Sequence, residues 1–289
     1  MKSGYVSIIG FPNVGKSTLL NSILKFKRSI VTSAKGTTRN KILGVYTEKD
    51  LEIVFLDSPG FYKPKNEIEN YMLNQAVESI DDADLITLIL DGHEKENDFS
   101  YILHVLKNKM PDVILFNKID LYKLPEVERF LETISKYFPK VDVVQTHLTE
   151  NFGVEDYIKL IKSKLKIGPS YFQGYDYLKE EEVFRIKEII REKCLLFLKD
   201  EVPHNIALYV NGINEKNKEK FIDASIYVSK ESLKGIVIGS QGQMIKKIRL
   251  NAQKDIRKNI DKKYNLKIDV RVQKDWVNDP NQLKKFGYK

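Results

Sequence analysis

Residues 10–17 read Gly-Phe-Pro-Asn-Val-Gly-Lys-Ser, between a short apolar run and the apolar positions of a helix start. Gly10 and Gly15 allow the backbone to turn its N–H groups toward a phosphate. The Lys16 ammonium can reach β- and γ-phosphates, and the Ser17 hydroxyl can bind Mg²⁺. The stretch therefore predicts a strand, a phosphate-binding loop and a helix, in that order along the chain.

A second motif, Asn117-Lys118-Ile119-Asp120, follows a short apolar strand pattern at 113–116. A carboxylate at the C-terminal edge of a strand can accept hydrogen bonds from guanine N1–H and its 2-amino group together. Adenine offers no such pair of donors, and a buried unpaired carboxylate is costly, so the site would reject adenine. The Lys118 stem can lie over the base plane. With the phosphate loop, this motif predicts GTP or GDP as the ligand.

Two polar segments between these motifs fit the metal and the γ-phosphate. The strand pattern at 53–56 ends at Asp57-Ser-Pro-Gly60, where Asp57 can hold the Mg²⁺ shell and the Gly60 N–H can meet the γ-phosphate. A polar loop containing Thr37, Thr38 and Arg39 can close over both. The sequence thus contains a full set of groups for a Mg²⁺–nucleotide complex.

These motifs resemble the translation-factor-like GTPases, and more narrowly the branch with Asp-Thr-Pro-Gly and a Gly-Thr-Thr-Arg first switch. The resemblance implies Ser17, Thr38 and Asp57 as the Mg²⁺ ligands. Ser58 stands where that branch usually has Thr, and His147 replaces the small residue of the fifth motif. The nucleotide-binding residues expected are Gly10, Phe11, Pro12, Asn13, Val14, Gly15, Lys16, Ser17, Thr18, Asp57, Ser58, Pro59, Gly60, Asn117, Lys118, Asp120, Thr146, His147 and Leu148.

Slow intrinsic hydrolysis is expected, because Phe61 follows Gly60 where Ras-like enzymes place a water-orienting Gln. An apolar ring cannot orient water. In related GTPases the Asn at the position of Asn13 helps hold a K⁺ ion that acts in place of an arginine finger. The alternative is that Asn13 only braces the loop. The catalytic residues expected are Lys16, Thr38, Gly60 and Asn13, with K⁺ as a cofactor beside Mg²⁺.

Composition indicates a two-domain protein. With 289 residues, of which 42% are hydrophobic, two domains of ordinary size can each bury a core. The single cysteine, Cys194, excludes an intramolecular disulfide, and the four histidines show no metal-ligand spacing. No apolar run approaches about 18 residues and no signal peptide opens the chain, so a cytoplasmic location is expected.

The charge is distributed unevenly. Residues 1–168 carry 23 basic and 23 acidic side chains, whereas residues 169–289 carry 25 and 17, so the whole excess of +8 lies in the C-terminal part. Between Lys230 and Lys274 there are 13 basic and 4 acidic residues. A solvated basic helix face would account for part of this. Such asymmetry between two domains favours a nucleic-acid surface.

Hydrophobic periodicity gives the order of elements. Strand-like runs alternate with helical patterns through the first part of the chain, which indicates a doubly wound α/β sheet with its ligand at the C-terminal strand edge. A linker is predicted at 168–178, and Asn211-Gly212 is expected to join the first two strands that follow it. The strands are predicted near 5–9, 42–46, 52–56, 85–90, 113–116, 141–144, 206–210, 221–228 and 266–272. The helices are predicted near 16–25, 67–80, 99–108, 125–138, 154–166, 180–199 and 231–236, with one more after the glycine turn that continues to about 260.

The turn Gly239-Ser-Gln-Gly242 lies between two predicted helices of the basic part. Glycines at both ends let the backbone approach a sugar-phosphate chain closely. Within the α-β-β-α-α-β order, this resembles an α+β KH domain of the second topological type, which binds single-stranded RNA or DNA. The middle residues lack the lysine often found there. The RNA-binding residues expected are Lys234, Gly239, Ser240, Gln241, Gly242, Lys246, Lys247 and Arg249.

A GTPase domain followed by this KH domain resembles one family over the whole chain, the bacterial Era GTPases of small-subunit ribosome assembly. The stretches 201–204 and 276–288 also look like that family. The resemblance implies binding to the 3′ end of 16S rRNA, association with the 30S precursor and peripheral contact with the inner membrane. A monomer is expected, with a GTPase domain at 1–167, a linker at 168–178 and a KH domain at 179–289.

Two other functions compete with a GTP-hydrolysing assembly factor. A pure RNA-binding module with an inactive nucleotide domain would not need the intact set Lys16, Ser17, Thr38 and Asp57. A GTPase of tRNA modification or membrane signalling would not need the KH-like domain. Measured GTP turnover, together with crosslinking to total RNA, distinguishes the three.

Overall fold

The computed structural model describes residues 1–24, 42–107, 109–171, 178–216, 219–260 and 263–288. The chain divides into two compact units, Met1–Lys63 with Met72–Gly174, and Pro64–Tyr71 with Tyr175–Lys289. Thr38, expected to bind Mg²⁺, lies outside the described residues. The domain limits at 167 and 179 stay a prediction.

The first unit is built on a six-stranded sheet in the order β2-β3-β1-β4-β5-β6. Only the edge strand β2 runs antiparallel to its neighbour, and the other pairs are parallel. The strands are β1 (Lys2–Ile9), β2 (Ile42–Glu48), β3 (Leu51–Asp57), β4 (Leu85–Leu90), β5 (Val113–Asn117) and β6 (Asp142–Thr146).

Helices alternate with these strands, as the periodicity predicts. They are α1 (Lys16–Leu24), α2 (Glu67–Asp81), α3 (Glu96–Val105), α4 (Leu124–Tyr137) and α5 (Val154–Lys164). Every residue of β3, β4 and β5 is buried, which explains their continuous apolar runs, because helices cover a parallel sheet on both faces. The predicted doubly wound sheet is confirmed.

Helix α3 begins about one turn earlier than the apolar pattern predicts. The Asp98 carboxylate accepts a hydrogen bond from the Lys95 backbone N–H at 2.8 Å, and Glu126 does the same for Lys123 N–H at 2.8 Å at the start of α4. These contacts satisfy backbone donors that a first helical turn leaves without an intrahelical partner. Capping residues, and not the apolar stripe, therefore fix where α3 starts.

The first residues of the predicted linker are anchored within the first unit. The buried Glu52 carboxylate accepts a hydrogen bond from Ser170 Oγ at 2.8 Å and another from the Tyr171 backbone N–H. The Tyr171 ring packs edge-on against Tyr5 at 4.9 Å between centroids. This part of the linker is held by specific contacts, whereas residues 172–177 lie outside the described part.

The second unit contains a three-stranded sheet in the order β7-β8-β9. Its elements are α6 (Leu178–Phe197), β7 (Ile206–Lys216), β8 (Glu219–Val228), α7 (Glu231–Ile238), α8 (Gln243–Asn259), β9 (Tyr264–Val272) and α9 (Pro280–Phe286). Strand β8 is central, antiparallel to β7 and parallel to β9. Ile190, Ile226 and Ile248 are fully buried in the core that α6, α7 and α8 build on this sheet. The predicted α-β-β-α-α-β order is confirmed.

The expectation that Asn211-Gly212 joins the first two strands is wrong. Strand β7 runs on to Lys216, and the pairing register shifts between Val210 and Gly212. Asn211 Nδ2 donates to Ser225 Oγ at 3.0 Å. The dipeptide thus forms a bulge in a long strand, a position at which an extra residue is tolerated because it is left out of the pairing.

A C-terminal helix was not foreseen by the periodicity, because α9 has only seven residues. Asp279 caps it by accepting from the backbone N–H groups of Asn281 and Gln282, and Pro280 occupies the first turn. Helix α9 brings Phe286 to Trp276, with 5.6 Å between ring centroids. The tail is therefore part of the packed unit. In the described part of the chain, no helix is long and apolar enough to cross a membrane.

Replacing Ile226 by Ala should lower the free energy of unfolding of the second unit by about 2–5 kcal/mol, because it leaves a cavity in a fully buried site. The matched control is Leu196→Ala, whose side chain is 51% exposed and should change the value by less than about 1 kcal/mol. Trp276 is the chain's one tryptophan, so its fluorescence during urea unfolding reports on this unit. Equal losses in both variants would contradict the proposed core.

Candidate nucleotide and nucleic-acid sites

The phosphate loop has the backbone that its glycines predict. Gly10 has φ +149° and Gly15 has φ +115°, values that L side chains rarely adopt. A Cβ on Gly10 would lie 2.5 Å from the Ile89 carbonyl oxygen, and one on Gly15 would overlap the Asn117 side-chain nitrogen. Both positions therefore need glycine for conformation and for space.

Lys16 is the buried cation of this loop. Its ammonium donates to the carbonyl oxygens of Gly10 at 3.0 Å and Phe11 at 2.8 Å. Burial lowers the pKa of Lys16 to about 8, and the nearby Asp57 carboxylate opposes that shift. A cation that is costly to bury gains from a phosphate placed beside it.

Ser17 and Asp57 come together although they are 40 positions apart. Ser17 Oγ donates to Asp57 Oδ2 at 2.9 Å, and Asp57 is fully buried at the end of β3. A hydroxyl and a carboxylate oxygen side by side are the hard donors that Mg²⁺ prefers. The two residues fit the predicted metal site.

The segment after Asp57 packs closely on the loop. A Cβ on Gly60 would lie 2.7 Å from the Pro12 nitrogen, and the Phe61 N–H donates to the Gly10 carbonyl at 3.3 Å. The Phe61 ring is fully buried and packs edge-on against Phe11 at 5.3 Å. The side chain at position 61 thus belongs to the core.

Ser58 and Pro59, expected among the nucleotide-binding residues, are buried. The Ser58 hydroxyl donates to the Ile8 carbonyl oxygen at 2.8 Å. This hydrogen bond directs the side chain to β1, which explains why Ser can stand where the related branch has Thr.

Asn117 joins the phosphate loop to the base motif. Its Nδ2 donates to the Val14 carbonyl oxygen at 2.8 Å. Its Oδ1 accepts from Thr146 Oγ1 and from the Leu148 N–H, each at 3.2 Å. The three motifs predicted to surround one nucleotide are therefore tied together by a single side-chain amide.

Asp120, the predicted guanine reader, is accessible, with 39% of its side chain exposed. His147 Nε2 lies 3.5 Å from Asp120 Oδ1 and 2.6 Å from Thr149 Oγ1. The residue that departs from the usual fifth motif thus lies beside the base-reading carboxylate.

One residue of this site was missed by sequence reasoning. Lys118 Nζ donates to Asp91 Oδ2 at 2.7 Å, and Asp91 follows directly after β4. The same rule that singled out Asn117, a polar group at the C-terminal end of a buried strand, would have found it.

The Gly239–Gly242 turn has the backbone of a tight, exposed loop between α7 and α8. Gly239, Gln241 and Gly242 all have positive φ, at 73°, 47° and 74°. A Cβ on Gly239 would lie 2.6 Å from Met244 Cβ, whereas one on Gly242 would meet no atom within 4 Å. The first glycine is therefore needed for space and the second only for conformation.

Basic side chains flank this turn on α7 and α8. Lys246 and Lys247 are exposed, and Lys234 and Arg249 are half-buried. The Lys247 ammonium lies over the Phe197 ring, 4.4 Å from its centroid, a cation–π contact. The sequence-predicted nucleic-acid residues thus lie on the turn and on the two helices that it joins.

Family models match both units. A model described as a 50S ribosome-binding GTPase matches residues 5–118, and one described as a KH domain matches residues 201–277. GTPase Era of Clostridium acetobutylicum is 40% identical over 291 residues, which cover all of this chain and 98% of that protein. GTPase Era of Staphylococcus haemolyticus is 38% identical over 290 residues, covering 99% and 97%.

A solved structure extends the likeness to the whole fold. A crystal structure of Era in complex with MgGDPNP and nucleotides 1506–1542 of 16S ribosomal RNA superposes with a TM-score of 0.93. It is 33% identical to this chain, and the match covers all of this chain and 99% of that one. Both units therefore have counterparts in a protein that was solved with a nucleotide and an RNA.

Affinity for GDP should fall as the pH rises through about 8. Burial lowers the pKa of Lys16 to about 8, and bound phosphates favour the ammonium, so above this pH binding requires proton uptake. Above about pH 8 the dissociation constant should rise by up to about tenfold per pH unit, and below that pH it should stay constant. Titrations between about pH 6.5 and 9 measure this. In Lys16→Arg the guanidinium stays charged, so its profile should be flat. A flat profile in the unmodified protein would contradict the role of Lys16.

Proposed function

The chain belongs to the Era family of GTPases, and from this premise we propose that it hydrolyses GTP and acts in small-subunit assembly. In this proposal the first unit binds Mg²⁺ and GTP or GDP. The second unit binds 16S rRNA near its 3′ end. The solved Era complex with MgGDPNP and 16S nucleotides supports the pairing of these two ligands.

The single observation that carries the nucleotide part is the Asn117 bridge. One amide contacts Val14 of the phosphate loop and Leu148 of the fifth motif. Phosphate-binding and base-reading groups therefore converge on the same edge of the sheet, where doubly wound folds bind nucleotides.

The proposed roles of the described residues follow from their positions. Lys16 and the loop N–H groups bind the phosphates, and Asp120 reads the guanine edge. Ser17 and Asp57 would hold Mg²⁺, and Thr38, assigned by its motif alone, would be a further ligand; the bound metal would neutralise charge on the transferred phosphoryl group. Gly60 supplies a backbone N–H toward the γ-phosphate. Its backbone packs so closely on Pro12 of the phosphate loop that only glycine fits there.

A pure RNA-binding module with an inactive nucleotide domain is disfavoured. The buried Asp57 carboxylate and the buried Lys16 ammonium are costly to remove from water, and a merely structural domain would not need them. Multiple-turnover hydrolysis of GTP, with no hydrolysis of ATP, tests the enzyme class. Sequencing the RNA that co-purifies with the GTP-loaded protein tests the rRNA assignment.

We propose a monomer in the cytoplasm that meets the 30S precursor, with peripheral contact to the inner membrane. The excess positive charge of the C-terminal part supports contact with an anionic surface such as RNA. Sedimentation of the protein with ribosomal precursors tests the ribosomal assignment, and its recovery in the membrane fraction tests the membrane one; absence from that fraction would refute the membrane contact alone.

Hydrolysis should be faster in K⁺ than in Na⁺ if Asn13 helps to hold a K⁺ ion. Asn13 has φ +69°, so Ala there would be strained, whereas Gly keeps the backbone and removes only the side chain. Asn13→Gly and Asn13→Ala should both abolish the difference between the two salts. The measurement is the single-turnover rate at equal ionic strength. Equal rates in both salts for the unmodified protein would leave Asn13 as a loop brace only.

Replacing Gly239 and Gly242 by Asp should abolish RNA binding, because side chains and negative charge would block the approach of a phosphate backbone. The matched control is Gly212→Asp on β7, where a Cβ meets no atom within 4 Å; it should keep RNA binding. Both variants should bind GDP normally.

Binding is measured with a single-stranded 16S 3′-end oligonucleotide, against the GTP-analogue and GDP forms of the protein. We expect tighter binding to the analogue form, by a coupling of about 1–3 kcal/mol. Unchanged affinity in the Gly239/Gly242 variant would place the RNA groove elsewhere.

A further inference from the structure

We propose that Asp91 is a positioning residue for guanine recognition, which acts by fixing the side chain of Lys118. The inference rests on the proposed function and assigns a role to a residue outside the nucleotide motifs. Its basis is a charge-assisted hydrogen bond of 2.7 Å between Lys118 Nζ and Asp91 Oδ2.

The order of strands in the sheet places Asp91 and Lys118 next to each other. Strands β4 and β5 are neighbours, with Leu90 paired to Phe116. Asp91 and Lys118 therefore emerge from adjacent strands at the same edge of the sheet, and Lys118 lies two positions before Asp120 in the chain. Only 11% of the Asp91 side chain and 32% of the Lys118 side chain are exposed. Solvent screens such a pair less than a surface ion pair.

Asp91 is itself held from several directions. Its N–H donates to Glu94 Oε1 at 3.1 Å, and its carbonyl oxygen accepts from the Tyr122 hydroxyl at 2.7 Å. Its second carboxylate oxygen accepts from the His93 N–H at 3.3 Å. The Gly92 N–H donates to Glu94 Oε2 at 3.0 Å. Both the backbone and the carboxylate of Asp91 are thus fixed before any nucleotide binds.

Gly92 and Glu94 make this turn possible. Gly92 has φ +87°, and a Cβ there would lie 2.7 Å from the Tyr122 ring. Glu94 is half-buried, whereas His93 in the same turn is exposed. Burial, followed by the Asp91 charge, raises the pKa of Glu94 to about 7. Only the side of the turn that carries Asp91 is therefore shielded from water, which strengthens the Asp91–Lys118 contact.

A fixed Lys118 matters because a lysine side chain has much conformational entropy to lose on binding. The backbone of Lys118 is held at φ +62°, and Asp91 holds the other end of the side chain. The four-carbon stem between them is then ordered in advance, next to the carboxylate that reads the base. Pre-ordering lowers the cost of binding without any contact between Asp91 and the nucleotide.

A double-mutant cycle tests this. Asp91→Asn keeps the shape of the side chain and removes its charge. We expect it to weaken binding of GDP and GTP by about tenfold, with kcat at saturating GTP unchanged. In a Lys118→Met background, the same change should weaken binding by less than about twofold. The matched control is Asp81→Asn, which removes a carboxylate that also pairs with lysines, Lys107 and Lys109, and should leave affinity unchanged.

A second readout does not depend on nucleotide binding. Lys118 in the nucleotide-free protein should react slowly with an acetylating reagent, because its ammonium is paired, and Asp91→Asn should speed this reaction relative to that of the exposed Lys123. Mass spectrometry of the labelled peptides measures both rates. Unchanged Lys118 labelling overturns the positioning role, as does an equal loss of affinity in the two backgrounds.

These outcomes are separate from the proposed function. Equal binding of GDP and ADP by the unmodified protein would refute guanine recognition, whatever Lys118 labelling shows. Selective GDP binding with full affinity in Asp91→Asn would refute only the role of Asp91.

Discussion

The nucleotide site depends on the side-chain amide of Asn117, because its two ends join three segments. The nitrogen donates to the Val14 carbonyl, and the oxygen accepts from the Leu148 N–H and the Thr146 hydroxyl. All four residues are buried. Loss of the amide would leave buried polar groups unpaired, at about 1–3 kcal/mol each. The phosphate loop, base motif and fifth motif therefore keep one relative position without a ligand.

Groups that can bind a ligand lie at the C-terminal end of each of the five parallel strands, at one edge of the sheet. In spatial order these are Asp57 at the end of β3, the Gly10 loop after β1, Asp91 after β4, Asn117 at the end of β5 and His147 after β6. Parallel strands end at a common edge, so residues far apart in the chain become neighbours there. Most of the residues at this edge belong to the nucleotide-binding motifs identified in the sequence. The Asp91–Lys118 pair and the His147–Asp120 contact are additions that only the assembled sheet brings together.

The two units use charge differently. Lys16 is buried, and burial of its ammonium lowers its pKa. A phosphate group placed beside the ammonium would offset this cost. In the second unit the Gly239–Gly242 turn leaves Ser240, Gln241 and Lys246 exposed. Exposed charges are screened by salt, so the RNA binding that we propose there is expected to depend on salt, and on close backbone approach as much as on charge. The buried Lys16 loop is therefore suited to a phosphate group in one fixed position, whereas the exposed Gly239–Gly242 turn is suited to a flexible nucleic-acid strand.

The motifs, the order of elements and the family can all be predicted from the amino-acid sequence, and the full-length likeness to GTPase Era confirms the family. Glycine positions, apolar periods and contiguous polar motifs act over a few residues, so they can be read without a fold. The folded chain was needed to show that Asn211-Gly212 is a bulge, that Ser58 bonds to β1, and that Asp91 holds Lys118. Each of these contacts joins residues distant in sequence, and its partner is set by strand order and register, which no local pattern encodes.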